Sequence, residues 1–328
     1  MKTFVLLGVA FSLFLSSCYI SGMGGSDSSF KSSDKNFSFI QEYSVSSPLT
    51  LNLSTSGGSI STVARDGNGI EVAFVVKKRN QVMDITLEEL KKLADVEISQ
   101  TTNSLTINIK RIYERNMSVS FSVKAPVNSS CHLNTSGGSL SISDLKGQQY
   151  LNTSGGSIRI SKITGQVDAN TSGGSISSDN VNGKLHVSTS GGSITISNTK
   201  PELIATTSGG SIRLKDIEGT VDVNTSGGSI SINNISGSVK ASTSGGSINA
   251  DIVKLTEKLD LETSGGNINA TIPAGLGLTL DLSAERINTP LTNFSGTAKK
   301  NRINGQMNGG GILVRLSTSG GSVTLNYK

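Results

Sequence analysis

Over most of its length the chain repeats one pattern of apolar and polar positions every 18 residues. In the unit 221–238, Val221 and Val223 alternate with Asp222 and Asn224, and Thr225-Ser226-Gly227-Gly228 interrupts the run. Ile230 and Ile232 then alternate with Ser229, Ser231 and Asn233, and Ile235 precedes a second glycine, Gly237. The unit before it fills the same five slots with Leu203, Ala205, Ile212, Leu214 and Ile217; an earlier one fills them with Val167, Ala169, Ile176, Ser178 and Val181. Alternation with a period of two predicts strands. Two short strands and two glycine turns cannot close a core alone, but stacked copies can, each strand pairing in register with its equivalents above and below. The pattern therefore predicts an all-β solenoid of about eleven rungs, which at roughly 4.8 Å per rung makes a rod near 50 Å long.

The tetrapeptide Thr-Ser-Gly-Gly marks the turns. It starts at Thr55, Thr135, Thr153, Thr171, Thr189, Thr207, Thr225, Thr243, Thr263 and Thr318, with steps of 18 from Thr135 to Thr243 and a degraded copy at Leu280-Asp281-Leu282-Ser283. Twenty glycines are thereby assigned as structural turn residues: Gly57 and Gly58, Gly137 and Gly138, Gly155 and Gly156, Gly173 and Gly174, Gly191 and Gly192, Gly209 and Gly210, Gly227 and Gly228, Gly245 and Gly246, Gly265 and Gly266, Gly320 and Gly321. The expected reason is a sharp turn with positive φ and no room for a Cβ. The rank of threonines shares parity with Val221 and Val223, so it points inward. A left-handed hexapeptide helix would place aliphatics every six residues, which these units do not. Calcium-binding nonapeptides need Gly-Gly-x-Gly-x-Asp, and Gly227-Gly228-Ser229-Ile230-Ser231-Ile232 does not fit that either. The remaining expectation is a right-handed parallel β-helix.

Two stretches break the period. Between Thr55 and Thr135, residues 70–78 read as an apolar strand, Thr86-Leu87-Glu88-Glu89 as a capping box opening a helix with Leu87, Leu90 and Leu93 on one face, and residues 105–113 and 117–123 as alternating strands. We read residues 79–130 as an inserted helix and hairpin that packs on or caps the first rungs. Late in the chain, residues 301–311 read as a glycine-rich loop before a final strand pair ending at Tyr327.

The start of the chain is of another kind. Met1-Lys2-Thr3 precedes an apolar run over residues 4–15, too short to span a bilayer stably, and Leu15-Ser16-Ser17-Cys18 follows. This resembles a bacterial lipobox, which implies export, lipid transfer to the Cys18 sulfur and cleavage before Cys18. Residues 1–17 are then a lipoprotein signal peptide, 18–36 a Ser- and Gly-rich flexible tether and 37–328 a single solenoid domain. Composition adds exclusions. A net charge of +5 over 328 residues, with 4% aromatics and no Trp, leaves little with which to hold nucleic acid. Apart from Cys18 the chain has one cysteine, Cys131, in an aliphatic slot, where it reads as a small buried hydrophobe.

The strand, helix and hairpin followed by repeated Thr-Ser-Gly-Gly-Ser-Ile resemble the bacterial β-helix family designated "putative adhesin", a group of cell-envelope proteins of unknown function, over about residues 37–328. The resemblance implies the β-helix and an envelope role, and it brings no catalytic residues with it.

Candidate chemistry is sparse. His132 and His186 share one slot three rungs apart, too distant for a common metal ion, and Asp168 neighbours His186 as an expected ion pair. Asp222, Lys240 and Asp260 occupy that slot in later rungs and predict alternating charge along one face. Arg159, Arg213 and Lys215 face outward from the second strand, with Lys299, Lys300 and Arg302 late in the chain, as solubilising charge. No Gly-x-Ser-x-Gly elbow is present. No catalytic residue, metal site or cofactor is assigned. The expectation is a non-enzymatic protein of the bacterial envelope, lipid-anchored at the outer membrane, with an adhesin-like or scaffold role toward a glycan or another envelope protein. The alternatives are a carbohydrate-active β-helix enzyme and an ice-binding array; the latter needs two outward threonine ranks, and only one rank exists, pointing inward.

Overall fold

The computed structural model describes residues 36–328. The signal peptide, the lipid-attachment residue Cys18 and all of the tether before Asn36 lie outside the described residues. Apart from one short helix, Leu87–Leu93, the described elements are strands, and they form a β-solenoid with an open, many-stranded parallel sheet. The helix starts as the sequence implies: the Glu89 backbone amide donates to Thr86 Oγ1 while the Glu89 carboxylate accepts from the Thr86 amide, and Leu90 is buried.

Identical slots stack. On the first side of the coil Leu185, Leu203, Val221, Val239 and Leu259 pair in register, as do Thr189, Thr207, Thr225, Thr243 and Thr263. On the second side Ile176, Ile194, Ile212, Ile230, Ile248 and Ile268 form one ladder. All of these side chains are buried in a single core running the length of the stack.

The threonines are inward and they bind the rungs together. Thr225 Oγ1 donates to the carbonyl of Gly210 in the preceding rung at 2.8 Å and accepts from the Gly228 amide of its own turn at 3.3 Å. The same pair of bonds recurs at Thr189, Thr207 and Thr243. Each hydroxyl thus satisfies one carbonyl and one amide that the turn would otherwise bury unpaired.

The glycine turn differs from expectation in its backbone. None of the Thr-Ser-Gly-Gly glycines has positive φ. The second glycine of each pair is demanded by packing: a Cβ on Gly210 would lie 2.0 Å from the Gly192 carbonyl oxygen. The first glycine is under no such demand, since a Cβ on Gly209 would sit 3.5 Å from the nearest atom, in ordinary contact. Positive φ is found at the other two corners instead. One is a ladder of Asp144, Lys162, Asn180, Asn198, Asp216 and Asn234, with φ of 51–62°, a region that Asn and Asp tolerate better than most residues. The other is the corner of Gly237 and its equivalents Gly147, Gly165, Gly183 and Gly219, with φ of 124–154°.

At both ends spatial order departs from chain order. Twelve strands stack on the first side, in the sequence Ser104–Ile112, Leu49–Thr55, Ser129–Thr135, Gln149–Thr153 and Val167–Thr171, then the Thr-ending halves of Ile176–Thr189, Ile194–Thr207, Ile212–Thr225, Ile230–Thr243 and Ile248–Thr263, then Ile312–Thr318 and Leu278–Ser283. The inserted segment is therefore more than a cap. Its strands Ser104–Ile112 and Met117–Pro126 lie parallel beneath Leu49–Thr55 and Ile60–Arg65 and make a full rung. At the other end Ile312–Thr318 and Ser322–Tyr327 slot between the 259–272 rung and the strands Leu278–Ser283 and Arg286–Asn288. The degraded copy at 280–283 is thus outermost, and the last Thr-Ser-Gly-Gly lies inside it.

Antiparallel strands finish both ends. Ala94–Gln100 covers Ser104–Ile112, and Ile70–Lys78 followed by Phe39–Tyr43 covers Met117–Pro126, with Phe39 stacked on Phe74 at 4.5 Å and Phe74 edge-on to Phe121 at 5.3 Å. At the far end Arg302–Met307 pairs with Leu278–Ser283 and with Phe294–Lys299. This corrects the loop expected over 301–311: its first part is a strand, and Lys299, Lys300 and Arg302 sit around a hairpin turn.

Candidate functional site: the outer face of the first sheet

The outward residues of the first side form two parallel columns, because side chains two apart on a strand share a face. In spatial order one column reads Thr106, Asn52, His132, Tyr150, Asp168, His186, Ile204, Asp222, Lys240, Asp260, Arg315 and Asp281. The other carries Asn108, Ser54, Asn134, Asn152 and Asn170 in its first five rungs, then mainly small hydroxyl residues.

The two halves of this face differ. In the later rungs the first column alternates in charge. Lys240 lies 3.9 Å from Asp222, and Arg315 reaches Asp260 at 3.8 Å and Asp281 at 3.7 Å. Chain order alone would set Asp281 directly after Asp260, carboxylate against carboxylate. The inserted strand Ile312–Thr318 puts Arg315 between them. These pairs are exposed, each worth at most about 1 kcal/mol.

The earlier rungs hold a groove of about 480 Å³ between the columns, lined by Asn52, Thr106, Asn108, His132, Asn134, Tyr150, Asn152, Asp168 and Asn170. The His132 and Tyr150 rings lie 4.6 Å apart, tilted by 30°, which is the spacing of neighbouring rungs. The Tyr150 hydroxyl donates to Gln148 Oε1 at 3.2 Å, and Asn152 Nδ2 donates to Asn134 Oδ1, also at 3.2 Å.

His186 occupies the slot foreseen for it, with Nδ1 3.4 Å from Asp168 Oδ1. A second carboxylate, Glu202, lies 3.4 Å from Nε2, and Lys184 pairs with that same Glu202 at 3.1 Å. Hydrogen bonds from Lys184 and His186 hold the Glu202 carboxyl below its usual range. Glu202 was not foreseen because it belongs to the neighbouring slot and only leans across. His132 stands three rungs from His186, on the far side of Tyr150 and Asp168. Among the described residues no group of three or more His, Cys, Asp or Glu is placed to hold a metal ion.

Cys131 is fully buried, and burial pushes its thiol up to about 12, so it is inert as a nucleophile. Arg159, Arg213 and Lys215 are exposed on the second side, as read from the alternation.

Residues 183–326 match the family model Toastrack DUF4097. This agrees with the resemblance drawn from the repeats. The same rung geometry continues N-terminal of the matched stretch, through the groove. No curated protein matches the chain. Among solved structures it is similar to a "putative adhesin" from Parabacteroides distasonis ATCC 8503, at 13% identity over 87% of this chain and 96% of that one, with a TM-score of 0.39. A "putative adhesin" from Bacteroides fragilis NCTC 9343 shares 12% identity over 88% and 96%, with a TM-score of 0.31. A "putative cell adhesion protein" from Clostridium sporogenes ATCC 15579 shares 9% over 88% and 99%, with a TM-score of 0.23.

Proposed function

We propose that this protein is a non-enzymatic, adhesin-like rod of the bacterial cell envelope, held at the outer membrane through lipid on Cys18. The word adhesin-like is taken over from the solved neighbours. The support for the reading is this chain's own surface. The observation that carries it is the outer face of the first sheet, where two columns of polar side chains run rung after rung over a rigid core. A face of this kind suits a partner that is itself repetitive, because weak contacts made along a rod add up. The titratable groups on it are engaged with one another, as Asp168, His186, Glu202 and Lys184 are, and this favours binding over catalysis.

Deleting the protein and measuring attachment of cells to surfaces, beside their sensitivity to envelope stress, tests the reading. Loss of attachment with unchanged stress sensitivity is expected; the reverse result would favour an internal scaffold. Cleavage of a polysaccharide by the purified protein, abolished by changing one acidic residue, would overturn the non-enzymatic part. For the anchor, Cys18→Ala is expected to shift the protein from the membrane fraction to the soluble one or to leave unprocessed precursor. Continued fractionation with membranes and labelling by palmitate would overturn it.

A further inference from the structure

We infer that the groove over the first five rungs binds an uncharged polysaccharide, laid along the solenoid axis between the two outward columns. The inference rests on the adhesin-like reading and gives it a place and a ligand class.

Four observations lead there. First, the groove lies on the face of a sheet whose backbone amides and carbonyls are spent within the parallel ladders. A ligand there is addressed by side chains alone, unlike a peptide that adds to a sheet edge through its backbone. Second, the side chains on offer are amides on one wall, with Asn134, Asn152 and Asn170 exposed in three consecutive rungs. Each amide carries two donor hydrogens and an oxygen with two lone pairs. The bond from Asn152 to Asn134 uses one of each, and Asn170 has no side-chain partner among the described residues. Amides that can both donate and accept match sugar hydroxyls, which also do both.

Third, the opposite wall is made by the His132–Tyr150 stack, whose rings stand one rung apart along the axis. That wall ends where Asp168 is turned toward His186 and Gln166. No Lys or Arg lines the groove, so an anionic polymer has nothing to pair with. Fourth, amides spaced one strand apart, about 4.8 Å, suit a ligand that presents similar groups at a similar interval over roughly 20 Å, which is an extended glycan chain of several rings. The later rungs of the same face lack this combination, since Asp222, Lys240, Asp260, Arg315 and Asp281 saturate one another there.

The test uses the full chain in detergent and affinity electrophoresis in gels holding β-glucan, xylan, mannan or galactan, with dextran sulfate as the polyanion. At least one neutral polymer is expected to retard the protein, and oligosaccharides of that polymer are expected to bind more tightly with length up to about five rings, one per rung of the groove. Tyr150→Ala and Asn152→Ala, both at outward positions, are expected to weaken binding at least tenfold without moving the melting temperature. Asn224→Ala, in the same amide column beyond the groove, is expected to leave it unchanged. No retardation by any neutral polymer, stronger retardation by dextran sulfate, or equal loss from Asn224→Ala would each overturn the proposal. Attachment of cells separates the two readings. If deletion abolishes it and Asn152→Ala with Tyr150→Ala does not, the groove is wrong and the adhesin-like reading stands. If deletion has no effect on attachment, the adhesin-like reading falls.

Discussion

The middle rungs and the two ends build the same cross-section from different instructions. From Thr153 to Thr243 each rung lies against its neighbours in sequence, and every ladder links equivalent residues 18 apart. At the ends the chain leaves the stack and returns to wedge a rung between two others. Leu49–Thr55 is held between Ser104–Ile112 and Ser129–Thr135; Ile312–Thr318 is held between the rung of Leu259 and the strand Leu278–Ser283. The middle is thus specified by a short repeat that needs only its neighbour. The ends are specified by long-range pairing, and they trade away an open parallel edge for a closing antiparallel strand, the kind of edge management that keeps sheets from aggregating.

The sharpest test of the middle is steric. Gly210→Val drives a Cβ into the Gly192 carbonyl, so the two rungs must separate; a loss above about 4 kcal/mol is expected, seen as a fall in melting temperature with hydrogen exchange rising first around 192–210. Gly209→Ala, one residue away, is expected to change stability by no more than about 0.5 kcal/mol, because its Cβ meets only ordinary contacts. Equal effects at the two positions would break the close-approach account.

Truncating a wedged rung comes next. Leu316 is fully buried, opposite Leu261 on one side and Leu282 on the other. Leu316→Ala is expected to cost about 2–5 kcal/mol. The distinguishing readout is exchange: protection should fall at 278–283 and 302–307 as well as at 259–263. Leu214→Ala, in the middle, should loosen only the rungs either side of it. Smaller again is Thr225→Val, which keeps the shape but strips the Gly210 carbonyl and the Gly228 amide of a shared partner. A loss of about 1–3 kcal/mol is expected by chemical denaturation. The smallest effect should come from Arg315→Ala, where exposed ion pairs are removed. At most about 1 kcal/mol is expected, shrinking further in 1 M salt.

How much of this was legible in the sequence follows the same division. The five slots, the inward threonines and the buried Cys131 could be read because period and parity are local properties. The Asx corner was legible too, since Asn180, Asn198, Asp216 and Asn234 recur at 18, and these residue types tolerate the left-handed backbone found there. Rung order at the ends carried no local sign. Leu105, Ile107 and Ile109 alternate with Thr106 and Asn108 as a rung should, yet they lack Thr-Ser-Gly-Gly, so they read as a separate excursion. Arg315 could be placed between Asp260 and Asp281 only once the wedge was known. The groove was hidden for a related reason: the first of its five rungs, Ser104–Ile112, comes from the inserted segment, and Tyr150 stands out only beside His132.

The wedge at the far end also sets an order of events in time. Rungs of the middle can form as soon as 18 further residues are available, and short loops close cheaply. Val314 must instead find Leu259, 55 residues back, and Leu280, 34 residues back. The antiparallel strand Arg302–Met307 is reached from Leu278–Ser283 through Arg286–Asn288 and its hairpin partner Phe294–Lys299, and all of these precede Ile312–Thr318 in the chain, so the outermost layer can pair before the layer beneath it exists. Until Ile312–Thr318 arrives, the rung of Leu259 has an unfilled side. Completion is therefore a late insertion between two preformed surfaces, and it is the slowest class of contact for a chain of this topology to make.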